Sequence, residues 1–130
     1  MSHFVNIRTQ IREREHLVQA LRDLHYQFQD GQNLQIRGWQ GNRETADVVV
    51  NTGSAYDIGF RRQAEEYEMV ADWRGVERSC KLRQQSFVQE VSRQYAYNVI
   101  RAQAHEQDMV FESEQTLENG DVVIVYSERG

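Results

Sequence analysis

The carboxylates are the side chains with the clearest chemical potential in this 130-residue chain. Asp47, Asp57, Glu68 and Asp72 alternate with apolar residues along its middle, each at the parity opposite to the apolar positions. Strands pair about 4.8 Å apart, so acids of that parity on neighbouring strands would converge on one face. Converged acids would bind a hard cation or share a proton as an acid/base pair. The competing reading is a solvated sheet face, with Arg37, Arg61 and Arg62 as surface ion-pair partners worth little each. Asp57 and Asp72 would come closest, beside the aromatic wall of Trp73. They would form either a polar site or a buried pair that sets strand register.

Other chemistries find less support. Cys80, the only cysteine, adjoins Ser79 at the expected start of a long helix, but no histidine motif accompanies it as a base, so it reads as a structural thiol. His3, His16, His25 and His105 lack the i, i+4 or Cys-partnered spacing of a metal site. His25 and His105 suit helix C-termini, and His3 reads as a strand histidine or a binding residue beside Phe4. The sequence therefore offers no metal and no cofactor. There is no phosphate loop or dinucleotide fingerprint. Trp39 beside Arg37, and Trp73 beside Arg74, are the only hints of nucleic-acid stacking. Residues 1–101 carry 14 basic and 13 acidic side chains, and residues 102–130 carry one and seven. That acidic end would repel a phosphate backbone, making nucleic acid an unfavoured partner. Tyr97 falls outside the apolar stripe of its helix, on the side of Arg93 and Arg101. An exposed tyrosine flanked by arginine is the composition of a protein-interface anchor.

Two helices and a sheet must position these groups. An extended stretch over His3–Gln10 precedes a helix from about Arg12 to His25, where Leu17, Leu21 and Leu24 share one face. Asp30-Gly31 and Asn33 signal a turn. Period-two alternation then marks strands at Leu34–Arg37, Ala46–Val50, Tyr56–Phe60 and Tyr67–Asp72. Gly59, between Ile58 and Phe60, implies that another group approaches the strand closely. A helix from about Leu82 to Glu106 carries Val88, Val91, Tyr95 and Val99 in one stripe. A hairpin follows, Met109–Leu117 and Val122–Ser127, turning on Asn119-Gly120 as a two-residue loop. The expected fold is one α+β domain over 1–130, a mainly antiparallel sheet of six or seven strands with two helices, ordered β-α-β-β-β-β-α-β-β. The central strands should aim Ile58 and Phe60 at the helices, with the acids on the opposite face. No stretch reaches the length of a membrane span, no secretory signal is visible, and a lone cysteine suits a reducing compartment. A cytoplasmic protein is expected.

Several strings are more specific than pattern: Met1-Ser2-His3-Phe4, Arg37-Gly38-Trp39, Ala46-Asp47-Val48-Val49, Tyr56-Asp57-Ile58-Gly59-Phe60, Tyr67-Glu68-Met69-Val70-Ala71-Asp72-Trp73 and Gln94-Tyr95-Ala96-Tyr97. Together they give a chain that resembles the uncharacterised family of hypothetical chloroplast reading frame thirty-five. The resemblance implies a cytosolic or stromal protein of cyanobacteria or plastids. By genomic association it also implies an accessory role beside an AAA-type ATPase or a small ferredoxin. It carries no catalytic residues. The reading that follows is a non-catalytic binding or accessory protein acting through protein partners, with a homo-oligomer as one form of that partnership and Asp57, Asp72, Trp73, Tyr97, Arg101 and His3 as binding residues. The alternative is a small ligand- or metal-binding domain or enzyme that uses Asp47, Asp57 and Asp72.

Overall fold

A computed structural model describes residues 3–129. The chain divides into two compact units, Met1–Ala96 and Tyr97–Gly130, with the boundary inside the long helix. The first unit is built on a five-stranded antiparallel sheet. Its strands are β1 (Val5–Arg8), β2 (Gln27–Arg37), β3 (Arg43–Asn51), β4 (Asp57–Gln63) and β5 (Glu66–Ala71), in the order β1-β5-β4-β3-β2. Helix α1 (Arg14–Asp23) follows β1, and a short helix α2 (Trp73–Ser79) follows β5. Helix α3 (Gln84–Glu106) runs across the boundary into the second unit. There β6 (Met109–Thr116) and β7 (Val122–Glu128) pair as a separate two-stranded sheet. The α+β class and antiparallel pairing are those expected, while α2 is an addition.

The alternation along the middle strands sorts their side chains as anticipated. Ile58 and Phe60 are fully buried, as are Val48, Val50 and Met69 on the same face. Phe87 of α3 closes over them, its ring 6.3 Å from Phe60 and 5.9 Å from Trp73. Burying a side chain of this size contributes about 1.5–3 kcal/mol, so this layer dominates the unit's stability. The start of α1 depends on the same helix. Glu13 at its N-cap makes no side-chain capping bond. Instead the Tyr95 hydroxyl of α3 accepts hydrogen bonds from the backbone N–H groups of Arg12 and Glu13, each 3.0 Å. That satisfies donors a helix otherwise leaves open. At the other end His25 takes a left-handed φ of 64° and its N–H bonds to the Arg22 carbonyl. The helix is therefore ended by backbone geometry at a position where the imidazole alone was expected to matter.

The largest departure from expectation lies in β2. The Asp30-Gly31-Asn33 segment is not a turn between elements but an irregularity inside one eleven-residue strand. The register with β3 shifts between Asp30 and Leu34, and Asn33 adopts a φ of 52°. An uneven insertion of this kind bends a strand pair sharply. Meanwhile β3 pairs with β4 only through Val48–Asn51. The distal half of the β2–β3 ribbon is therefore free to fold across the sheet. There Ile36 and Ala46 pack with Val49 and Val70 in a second small core, joined by Phe4 and Leu34. Gly59 sits directly beneath. A Cβ there would come within 2.3 Å of the Ile36 Cδ1 and 2.9 Å of the Ala46 Cβ. The close approach inferred from this glycine is that of the folded-over ribbon.

This second layer alters the environment of the acids. The face expected to carry them in water is covered along its centre, and Asp57, Glu68 and Asp72 are buried. In the second unit, the β6–β7 connection also differs. Leu117 N–H donates to the Asp121 carbonyl, leaving Glu118, Asn119 and Gly120 as a three-residue loop in which Gly120 has a φ of 91°. The register of the strands requires the extra residue, so Asn119 keeps an ordinary φ where a two-residue turn would have reversed it.

Candidate functional site

Each candidate acid is held by donors that the fold supplies. Asp57 opens β4, and Arg37 stands at the end of β2. The bend in the ribbon brings them together although their β-ladders are separate. The guanidinium donates from Nε to Oδ2 and from Nη2 to Oδ1, both at 2.9 Å, and the Arg37 backbone N–H donates to Oδ2 at 2.9 Å. Hydrogen bonding to Asp57 raises the Arg37 pKa above its ordinary value. Asp72 lies one residue beyond the Ile58–Ala71 pair in β5, and Asp57 one residue before it in β4, so the two occupy the same end of the strand pair. They accept from different donors. Asp72 caps α2 by accepting from the Gly75 N–H at 3.1 Å, and its other oxygen accepts from the Trp39 N–H at 3.2 Å. Glu68 accepts two bonds from Arg61, at 3.0 and 2.9 Å. Asp47 accepts from the Arg62 N–H at 2.9 Å. Asp57 and Asp72, engaged on both oxygens, are structural elements before they are reagents, whereas Glu68 is held on Oε1 and Asp47 on Oδ2.

Two concavities flank these acids. The first is an open groove of about 570 Å³ under the bent ribbon. Arg37, Arg43 and Gln35 line it on the ribbon side, and Val49, Asn51 and Asp57 on the sheet side. The second, of about 240 Å³, lies at the ribbon's tip. It is lined by His3, Trp39, Tyr56, Asp72, Arg74, Gly75, Arg78 and Ser79. The His3 and Trp39 rings meet edge to face, 4.8 Å apart, and Trp39 is 43% exposed. The Tyr56 ring rests on Gly75, where a Cβ would fall 2.1 Å from its Cε1. Sequence reasoning brought His3 and Asp72 forward as binding residues; Trp39 and Arg74 figured only as hints of nucleic-acid stacking, and Tyr56 and Arg78 not as site residues. Only the ribbon bend and the α2 turn bring these four together.

The remaining candidates lie elsewhere. Trp73 is 3% exposed and belongs to the core beside Phe87. Its indole N–H is buried without a hydrogen-bond partner among the described residues. On α3, the Arg101 guanidinium stacks over the Tyr97 ring at 5.5 Å, one helical turn away. Arg101 is exposed and Tyr97 half-buried. Among the described residues Glu13, Glu15 and His16 place ligand atoms within 4.8 Å of one another at the start of α1. Here His16 Nε2 approaches the Glu13 carboxylate at 2.9 Å, the ordinary contact of a helix's first turn. No helix is long and apolar enough to cross a membrane among the described residues.

In the second unit the two-stranded sheet leaves apolar side chains in water. Phe111 is 49% exposed, and Val110, Leu117, Val123 and Val125 are exposed to a similar degree. Seven acidic side chains and one basic lie within residues 102–130.

Comparison with known proteins agrees with the strings singled out above. The uncharacterized protein ycf35 of Cyanophora paradoxa is 35% identical over 101 residues, covering 77% of this chain and 76% of that protein. Its namesake in Guillardia theta is 30% identical over 120 residues, covering 92% and 91%. That of Pyropia yezoensis is 30% identical over 121 residues, covering 93% and 91%. No solved structure matches the chain. The family described as a protein of unknown function, DUF1257, matches residues 20–125. The chain belongs to that family.

Proposed function

We propose that this is a non-catalytic accessory protein that binds a protein partner on the β6–β7 sheet. The observation that carries the reading is the exposure of Val110, Phe111, Val123 and Val125 on a two-stranded sheet, with Leu117 exposed in the connection beside them. Such a sheet is marginal by itself in water, and several large apolar side chains left in solvent on one small element point to an interaction surface. Both of its strands are edges, which a partner strand or loop would extend. The surrounding acids specify the occupant: a protein face that is apolar at its centre and ringed by Lys or Arg. The same charge opposes a second copy of the sheet. The engagement of Asp57, Glu68 and Asp72 in structural hydrogen bonds supports binding over acid/base chemistry.

An AAA-type ATPase and a small ferredoxin, in the cyanobacterial cytosol or plastid stroma, are the first partners to try. The test compares wild type with a Val123→Glu, Val125→Glu double variant in affinity purification from a cyanobacterial extract at rising salt. A protein with a basic face, retained by wild type, released by salt and absent from the variant, is the expected result. Identical retention by both proteins, or sedimentation of the wild type as a dimer that the variant breaks, would overturn the reading.

A further inference from the structure

The concavity at the ribbon tip differs in chemistry from the acidic sheet. Its lining combines the aromatic Trp39, Tyr56 and His3 with the cationic Arg74 and Arg78. Arg74 and Arg78 stand four residues apart on α2, so both guanidinium groups leave the same helix face. Both are exposed, and neither forms an ion pair among the described residues. The one carboxylate in the lining, Asp72, is 2% exposed and engaged by the N–H groups of Gly75 and Trp39. Two arginines against one carboxylate leave the lining formally positive. The Ser79 side chain adds a hydroxyl at the rim.

The positions are held by the fold rather than by the surface alone. Gly75 permits the Tyr56 ring to approach α2 closely, and Gly38 admits the Phe4 ring where a Cβ would stand 2.5 Å from it. The Trp39–Asp72 bond ties the ribbon tip to the start of α2. Trp39, 43% exposed, is thus presented at the rim of the concavity. Stacking on an exposed aromatic ring and a two-arginine contact to an oxyanion are complementary demands. A planar heterocycle carrying a phosphate satisfies both.

We propose that the pocket bounded by Trp39, Tyr56, Arg74 and Arg78 binds a small aromatic phosphate of the nucleoside monophosphate class, its base against Trp39 and its phosphate between the two arginines. The concavity of about 240 Å³ is on the scale of a single small ligand.

The experiment uses the full chain with AMP and UMP as probes and inorganic phosphate as the control. Titration calorimetry gives affinity, and tryptophan fluorescence reports location because Trp39 is half exposed whereas Trp73 is buried. A saturable signal with at least one nucleotide, accompanied by quenching, is expected. Arg74→Gln and Arg78→Gln should each weaken it about tenfold, the scale of a lost charge-assisted hydrogen bond. Trp39→Phe should retain binding while removing the quenching, and Trp39→Ala should weaken binding. Circular dichroism confirms that each variant is folded. Absence of saturation by either nucleotide up to ~10 mM, weaker than any specific site of this kind, would overturn the proposal. So would unchanged affinity in a folded Arg74→Gln, Arg78→Gln double variant, or equal affinity for inorganic phosphate. Partner capture on β6–β7 is read separately, so either proposal can fail without the other.

Discussion

Arg37 closes on Asp57 with two side-chain hydrogen bonds of 2.9 Å and a third from its own backbone N–H. The two residues come from strands that are not neighbours in the sheet, so this pair fastens the folded-over ribbon to β4. Asp57→Asn removes the charge that the fork recognises and leaves a cation beside a buried amide. The expected loss is about 1.5–3 kcal/mol, the range for hydrogen bonds to a charged group. Urea unfolding of the purified variant measures it. An unchanged midpoint would show that the ribbon is held by its apolar contacts alone.

Gly59 and Ile36 make the complementary apolar contact. Gly59→Ala should cost about 1–3 kcal/mol by overpacking, since the new methyl meets the Ile36 Cδ1 at 2.3 Å. Ile36→Val deletes that terminal carbon, so the alanine should cost less in the valine background. A double-mutant cycle in urea reports the coupling. Purely additive effects would mean that the ribbon yields elsewhere.

Tyr26 predicts an alkaline transition. Burial, then the 2.6 Å hydrogen bond to Glu90 and its charge, push the phenol pKa well above its ordinary value. The folded state therefore holds the proton where the unfolded chain has lost it. The associated stability is complete below about pH 10, the ordinary tyrosine value, and declines as pH rises through and beyond it. Thermal melts across that range should fall more steeply for wild type than for Tyr26→Phe. Parallel curves would count against the contribution of this group.

Asp72 joins the helix cap to the ribbon tip. Asp72→Ala should cost about 0.5–2 kcal/mol through the lost cap of α2. It also frees the Trp39 N–H, so amide hydrogen exchange should accelerate at Trp39 as well as at Gly75. Faster exchange at Gly75 alone would separate the cap from the docking of the tip.

Tyr97 and Arg101 make a cation–π contact on an exposed helix face, and such contacts contribute about 0.5–1 kcal/mol. Tyr97→Ala with Arg101→Ala should therefore shift thermal stability only modestly. Release of a partner by this double variant, with the hairpin intact, would identify this face as part of the contact surface.

Much of the local structure was legible because one physical signal dominated it. Ile58 and Phe60 alternate with polar or small neighbours, so only one strand orientation buries them. Val91 and Tyr95 lie one helical turn apart, which is enough to place them on a buried face. Gly59 correctly announced a close approach, although its partner could not be named. The second helix was missed because Trp73–Ser79 is too short for periodicity to show. Its signal was Asp72 three residues before Gly75, an N-cap geometry that an alternating strand pattern masked.

Composition and alternation by themselves determined an α+β chain, the antiparallel pairing of its central strands and the face that packs against the helices. Those outcomes depend on side-chain periods of two and 3.6 residues, which are local and readable. Tertiary structure alone decided that β2 bends, that its far half covers the opposite face, and that Asp57, Glu68 and Asp72 are buried with partners. It also decided that Trp39, Tyr56, Arg74 and Arg78, distant in sequence, share one pocket. A bend of a few residues leaves every local period almost intact while redirecting a whole strand, so no window along the chain can reveal it.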